Sequence, residues 1–107
     1  MKFNRIFLIV CDSMGIGNAK DAKKYNDFGA NTVGHICSIC DGLNIPTLQN
    51  LGFGNLGDFK GVAKTQNPQA YILKLNEASN GKDTMTGHWE MMGLYIDKPF
   101  QTFTETG

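Results

Sequence analysis

Apolar residues run without a break from Ile6 to Cys11 in the opening stretch MKFNRIFLIVCDS, and Asp12 ends the run. A continuous, branched apolar run with no alternation predicts a strand buried on both faces, as in the middle of a parallel sheet. Residues 70–75 (AYILKL) alternate in part and predict a second strand. Between these lie helical patterns. Residues 30–40 place Val33, Ile36, Cys37 and Cys40 on one stripe, with Asp41-Gly42 as the stop. Residues 45–51 predict a short helix with Pro46 in its first turn, where the missing N–H costs nothing. A third helix starts at Thr84 or Thr86 and runs to Met92, capped by Asp83 and stopped by Gly93. The polar, lysine-rich stretch 18–28 predicts a surface loop with a helical turn around residues 19–25. Residues 52–57 predict a loop, and from Tyr95 the chain is extended. No internal repeat or low-complexity segment interrupts this order.

Composition narrows the class. The chain has 107 residues, room for one small domain, and its 41% hydrophobic and 19% charged residues suit a packed core and argue against disorder. The apolar run at the N-terminus is too short to span a bilayer and is ended by Asp12, so it predicts a strand and not a secretion signal. Ten basic and ten acidic residues, without long runs of either, leave no electrostatic footprint for nucleic acid. Three cysteines, an odd count, favour a reducing cytoplasm over a disulfide scaffold. The expectation is a cytoplasmic α/β domain with neither a nucleic-acid nor a membrane partner.

Candidate chemistry falls at four places. Asp12 stands where the first predicted strand meets a glycine turn, the position at which open α/β sheets bind ligands, and its carboxylate suits a hard divalent cation. Capping of the following turn is an equal alternative. Gly15-Ile16-Gly17 begins a dinucleotide fingerprint, but Lys20 stands where the third small residue belongs, so a plain glycine turn is the better reading and no cofactor-binding residue is assigned. Cys37 and Cys40 have the C-x-x-C spacing within an amphipathic pattern, which predicts packing and not zinc or redox chemistry.

The fourth place is GKDTMTGHWEMMG, residues 81–93, which gathers Lys82, Asp83, Thr84, Thr86, His88 and Glu90 around the only tryptophan. A threonine hydroxyl is a weak nucleophile until a base, a metal or a positive field lowers the cost of its alkoxide. The unpaired N–H groups of a helix start favour a phosphate or alkoxide there. Capping explains one of these residues but not the rest.

The segments RIFLIVCDSMGIGNAKDA, GANTVGHI, GLNIPTLQNLGFGN and above all GKDTMTGHWEMMGLYIDKPF resemble, in order along nearly the whole chain, the N-terminal part of the phosphopentomutase (phosphodeoxyribomutase) family. Members are alkaline-phosphatase-like metalloenzymes with a doubly wound α/β core interrupted by a cap domain. The resemblance implies interconversion of ribose or deoxyribose 1-phosphate with the 5-phosphate on two manganese ions, with a sugar bisphosphate as activator. It implies that Asp12 is a metal ligand and that Thr84 carries a phosphoryl group, with Lys82, Asp83, Thr86 and His88 in supporting roles around them.

Family members are much longer. The expectation is therefore a fragment: residues 1–98 as the N-terminal part of an incomplete metal-binding core, residues 99–107 as the start of the crossing into a cap, and the remaining metal ligands outside the chain. A fragment of this kind is expected to be inactive alone. The rival readings are another phosphomutase of the alkaline phosphatase superfamily, or a short non-catalytic domain that binds a nucleotide or a partner.

Overall fold

The computed structural model describes residues 2–101. Its regular elements are helices: α1 (Thr32–Ile39), α2 (Pro46–Leu51) and α3 (Thr84–Met91), with 3₁₀ turns at Ala22–Tyr25 and Phe53–Leu56. The described residues fall into two compact units. One comprises residues 2–18 with 29–72, the other residues 19–28 with 73–101.

In the first unit Val33, Cys37, Phe59 and Val62 form a buried cluster, against which Met14, Ile16, Leu43, Ile45, Phe53 and Leu56 pack. Helix α1 begins where Asn31 can cap it: Asn31 Oδ1 accepts the N–H of Gly34 at 3.2 Å. The same oxygen accepts the N–H of Gly17 at 3.1 Å, and Gly15 O accepts the N–H of Val33 at 3.0 Å. The glycine turn is thereby fastened to the first turn of α1. Of the predicted stripe, Val33 and Cys37 are buried; Ile36, within the helix, is exposed, and so is Cys40, which is already the cap because α1 stops at Ile39. Helix α2 carries Pro46 in its first turn and ends at Gly52, whose φ of +107° is the left-handed stop. Phe53–Leu56, expected as loop, continues as a 3₁₀ turn in which Phe53 packs against Phe59 at 5.5 Å between ring centroids.

In the second unit the 3₁₀ turn Ala22–Tyr25 buries Ala22 and ends at Asn26 in the left-handed region. Helix α3 runs as expected from an Asp83 cap, and Gly93 follows it at φ +91°. Trp89, on the last two turns of α3, meets Phe100 edge-on at 5.2 Å.

The two predicted strands do not form. Among the described residues the only β-pairing is an isolated bridge between Phe59 and Val62, and residues 5–11 and 70–75 are irregular. Ile6 is 89% exposed and Ile9 81%, with Leu73 and Leu75 similarly bare. A helix closes its hydrogen bonds within its own segment, whereas a strand needs another strand beside it and a layer on each face. Among the described residues no strand pairs with residues 5–11. The doubly wound α/β core is therefore not seen in the described part. The reading of residues 99–107 as a crossing falls largely on residues 102–107, outside the described residues.

Candidate functional site

The site is built around the start of α3. Asp83 is extended, at φ −82° and ψ 155°, and both of its carboxylate oxygens turn onto Thr86. Oδ1 accepts the Thr86 N–H at 2.9 Å and Oδ2 accepts its hydroxyl at 2.6 Å. These bonds hold the Asp83 carboxyl below the usual carboxylate range, with the Thr86 hydroxyl the largest cause. Thr86 is 0% exposed, whereas Thr84, at the first position of the helix, is exposed. Two threonines equivalent in the sequence thus differ in the structure: one is a bolt under the helix cap, the other presents its side chain to solvent.

Gly81 makes this cap possible. Its φ is +144°, and a Cβ built there would lie 2.8 Å from Thr86 Oγ1 and 3.1 Å from Asp83 Oδ2. Beside it, Lys82 turns to the end of the first 3₁₀ turn and the residues that follow, where its ammonium donates to Tyr25 O and meets Asp27 Oδ2, both at 3.4 Å. Its charge is therefore shared with Asp27. His88, one turn beyond Thr84, lies 2.8 Å through Nδ1 from Thr84 O. A carbonyl can only accept, so Nδ1 carries the hydrogen and Nε2 keeps the lone pair in the neutral ring.

Thr84, Lys82, Asp83 and His88 line a cleft of about 660 Å³ with Glu77 and Glu90. Neither of the last two was assigned from sequence. Glu77 is an exposed residue whose carboxyl is raised above its ordinary value, first by partial desolvation and then by the charges of Glu90, Asp21 and Asp83. Glu90 is held low by the Ser79 hydroxyl and by the backbone N–H groups of Ala78 and Ser79. No spacing rule pairs Glu90 with residues eleven and twelve positions before it, so the sequence carried no signal for this contact.

Asp12 stands in the first unit, in the turn after residues 5–11, and Thr84 in the second. The Asp12 carboxylate is exposed and makes no hydrogen bond or ion pair among the described residues, so it is not the turn cap of the alternative reading. The N–H of Gly17 is engaged by Asn31, consistent with a plain glycine turn. All three cysteines are free, and only Cys37 is buried, so the C-x-x-C pair does not share a buried face. Among the described residues no three histidine, cysteine or carboxylate side chains converge, so these residues do not make a metal centre by themselves. A carboxylate suits a divalent metal ion in its donor chemistry, but Asp12 alone would supply only one of the several ligands such an ion takes.

With that geometry in hand, comparison with known proteins places the chain. Residues 4–97 match the family model described as the metalloenzyme superfamily. The chain belongs to the metalloenzyme superfamily. A curated phosphopentomutase of Clostridium tetani (strain Massachusetts / E88) is 58% identical to it over 106 residues, which is 99% of this chain and 27% of that protein. The chain thus spans about a quarter of the length of the curated relative. In this superfamily chain no helix among the described residues is long and apolar enough to cross a membrane.

Proposed function

We propose that the chain supplies the phosphoryl-carrying threonine and one metal ligand of a phosphopentomutase, a metal-dependent isomerase of ribose or deoxyribose phosphates. The observation that carries the reading is the contrast at the start of α3: Thr84 is exposed at the first helical position and lines the cleft, while Thr86 is sealed beneath the Asp83 cap. The 58% identity to a phosphopentomutase over 106 residues supports the same assignment.

In this scheme phosphorylated Thr84 gives its group to a free hydroxyl of a pentose monophosphate. The Thr84 Oγ–P bond breaks as the sugar O–P bond forms, and a bisphosphate results. The bisphosphate turns over in the site and returns its other phosphoryl group to Thr84, leaving the isomeric monophosphate. Such a bisphosphate also primes unphosphorylated protein, which makes it the activator. Groups that stabilise charge on the transferring phosphoryl only in the transition state are those that accelerate the step. Unpaired N–H groups at the start of α3 favour the phosphorylated form of Thr84. Asp83, Thr86 and Lys82 hold the loop from which Thr84 projects, and His88 steadies the Thr84 carbonyl.

Two manganese ions belong to the reading, with Asp12 as one ligand and the others from the part of a longer protein that this chain does not span. The domain division follows: residues 1–98 contribute to the catalytic core, residues 99–107 lead towards a cap, and these 107 residues alone do not turn over substrate. A cytoplasmic location fits these sugar phosphate substrates.

The test uses the protein as its source cell makes it, with manganese, pentose 1-phosphates and a trace of sugar bisphosphate. Isomerisation to the 5-phosphate is expected, with phosphate recovered on Thr84, and Thr84→Ala is expected to abolish both. Turnover by Thr84→Ala at the wild-type rate, or no turnover of any pentose phosphate by the wild type, would refute the proposal.

A further inference from the structure

Glu90 occupies the last turn of α3, where the helix dipole disfavours a negative charge, so helix stability does not explain it. Its bonds point elsewhere. Oε1 accepts the N–H of Ala78 at 2.8 Å and Oε2 accepts the N–H of Ser79 at 2.5 Å. Charge-assisted bonds of this kind are short and about twice as strong as neutral ones. Ser79 is 3% exposed, and its hydroxyl oxygen accepts the N–H of Ile96 at 2.9 Å. Asn80 completes the anchorage: its N–H donates to Ile96 O at 2.8 Å and its Nδ2 to Asp97 O at 2.9 Å.

Residues 78–80 are therefore held on one side by α3 and on the other by residues 96–97. Only Gly81 and Lys82 separate this anchored segment from Asp83, which is itself locked to Thr86. The chain from Ser79 through Thr84 to Glu90 closes on itself as a hydrogen-bonded ring, and Thr84 sits on its rim.

We propose that Glu90 is a positioning residue for Thr84: its carboxylate ties the end of α3 to the loop that feeds its start, and so fixes where the Thr84 hydroxyl stands. The inference rests on the reading of Thr84 as the phosphoryl carrier. Glu90 touches no reacting atom in this role. Its effect is on alignment, where a displacement of about 1 Å is enough to cost on the order of 100-fold in rate.

The experiment compares Glu90→Ala, Glu90→Gln and wild type, each as the full protein of the source cell, by kcat and KM per folded molecule and by mapping of the phosphopeptide. Glu90→Ala is expected to lower kcat about 10- to 100-fold with KM for the pentose phosphate changed less than about twofold. Glu90→Gln keeps one acceptor oxygen and is expected to recover part of the rate. Wild-type kcat in folded Glu90→Ala overturns the proposal, as does a loss that falls on KM alone. If Glu90→Ala does not fold, wild-type kcat in Glu90→Gln overturns it instead. Phosphate on Thr84 with unaltered kinetics in the variants sinks this inference alone, whereas phosphate mapped to another residue sinks the Thr84 reading and this one with it.

Discussion

Thr86→Val is the sharpest test of the division of labour between the two threonines. Valine keeps the shape of the side chain and removes only the hydroxyl, so the bond to Asp83 Oδ2 at 2.6 Å is lost while the backbone bond at 2.9 Å remains. A hydrogen bond to a charged group contributes about 1.5–3 kcal/mol. Asp83 is only partly buried, and water repays some of its loss, so the expected cost is about 1–2 kcal/mol. Thr86→Ser is the complement: it keeps the hydroxyl and deletes a buried methyl, at about 1 kcal/mol. A protein with about 5–15 kcal/mol of stability stays folded through either change. Urea unfolding of the full protein measures both costs, and, on the proposed function, a pentose phosphate assay on the same samples measures what the cap does for Thr84. Thr86→Val is expected to keep a measurable rate, reduced by less than the roughly 100-fold that a 1 Å misplacement brings. If Thr86→Val is as stable as wild type, the Asp83–Thr86 lock is not what holds this turn. If its phosphothreonine is lost altogether, the carrier is Thr86.

Three further outcomes follow from the geometry. If Asp12 is the proposed ligand, Asp12→Asn is expected to raise the manganese concentration needed for half-maximal activity well before it affects unfolding, since its carboxylate makes no hydrogen bond or ion pair among the described residues; unchanged metal dependence would refute a ligand role. Asn31→Ala removes one acceptor serving both Gly34 and Gly17, so it is expected to cost about 1–2 kcal/mol in urea unfolding, the upper part of the range for a lost cap. As for pH, Asp83 and Glu90 titrate below the ordinary range, so the stability they add is present above it and is lost as pH falls through their lowered values. Glu77, raised, acts in reverse: its contribution is present below the ordinary glutamate value and lost as pH rises through its folded one, so Glu77→Gln is expected to stabilise the protein at neutral pH, read from urea midpoints between about pH 4 and pH 8.

What was legible in the sequence is what is local. Pro46 and Gly52 bracket α2, and Asp83 and Gly93 bracket α3, because a helix declares its ends through residues a few positions away. The α1 stripe was half legible: Val33 and Cys37 are buried as their spacing implied, while Cys40 falls just past the helix end. The strands were not legible in the same sense. The run from Ile6 to Val10 states what such a segment would pair with and bury under, but not that those neighbours lie within these residues. At the site, the cluster from Lys82 to His88 stood out by its density of functional groups. Which threonine was free did not, since that depends on how the Asp83 side chain turns. The Glu90 anchor and the double role of Asn31 were invisible for the same reason: both join segments through contacts that no periodicity encodes.

Gly81 carries a consequence for how this protein can change over generations. Every codon replacement that gives another amino acid places a carbon too close to the Thr86 hydroxyl, and tight against the Asp83 carboxylate, in a backbone conformation that L side chains rarely adopt. Substitution therefore has no small step available at this position: any side chain here would have to displace the pair of residues that caps α3.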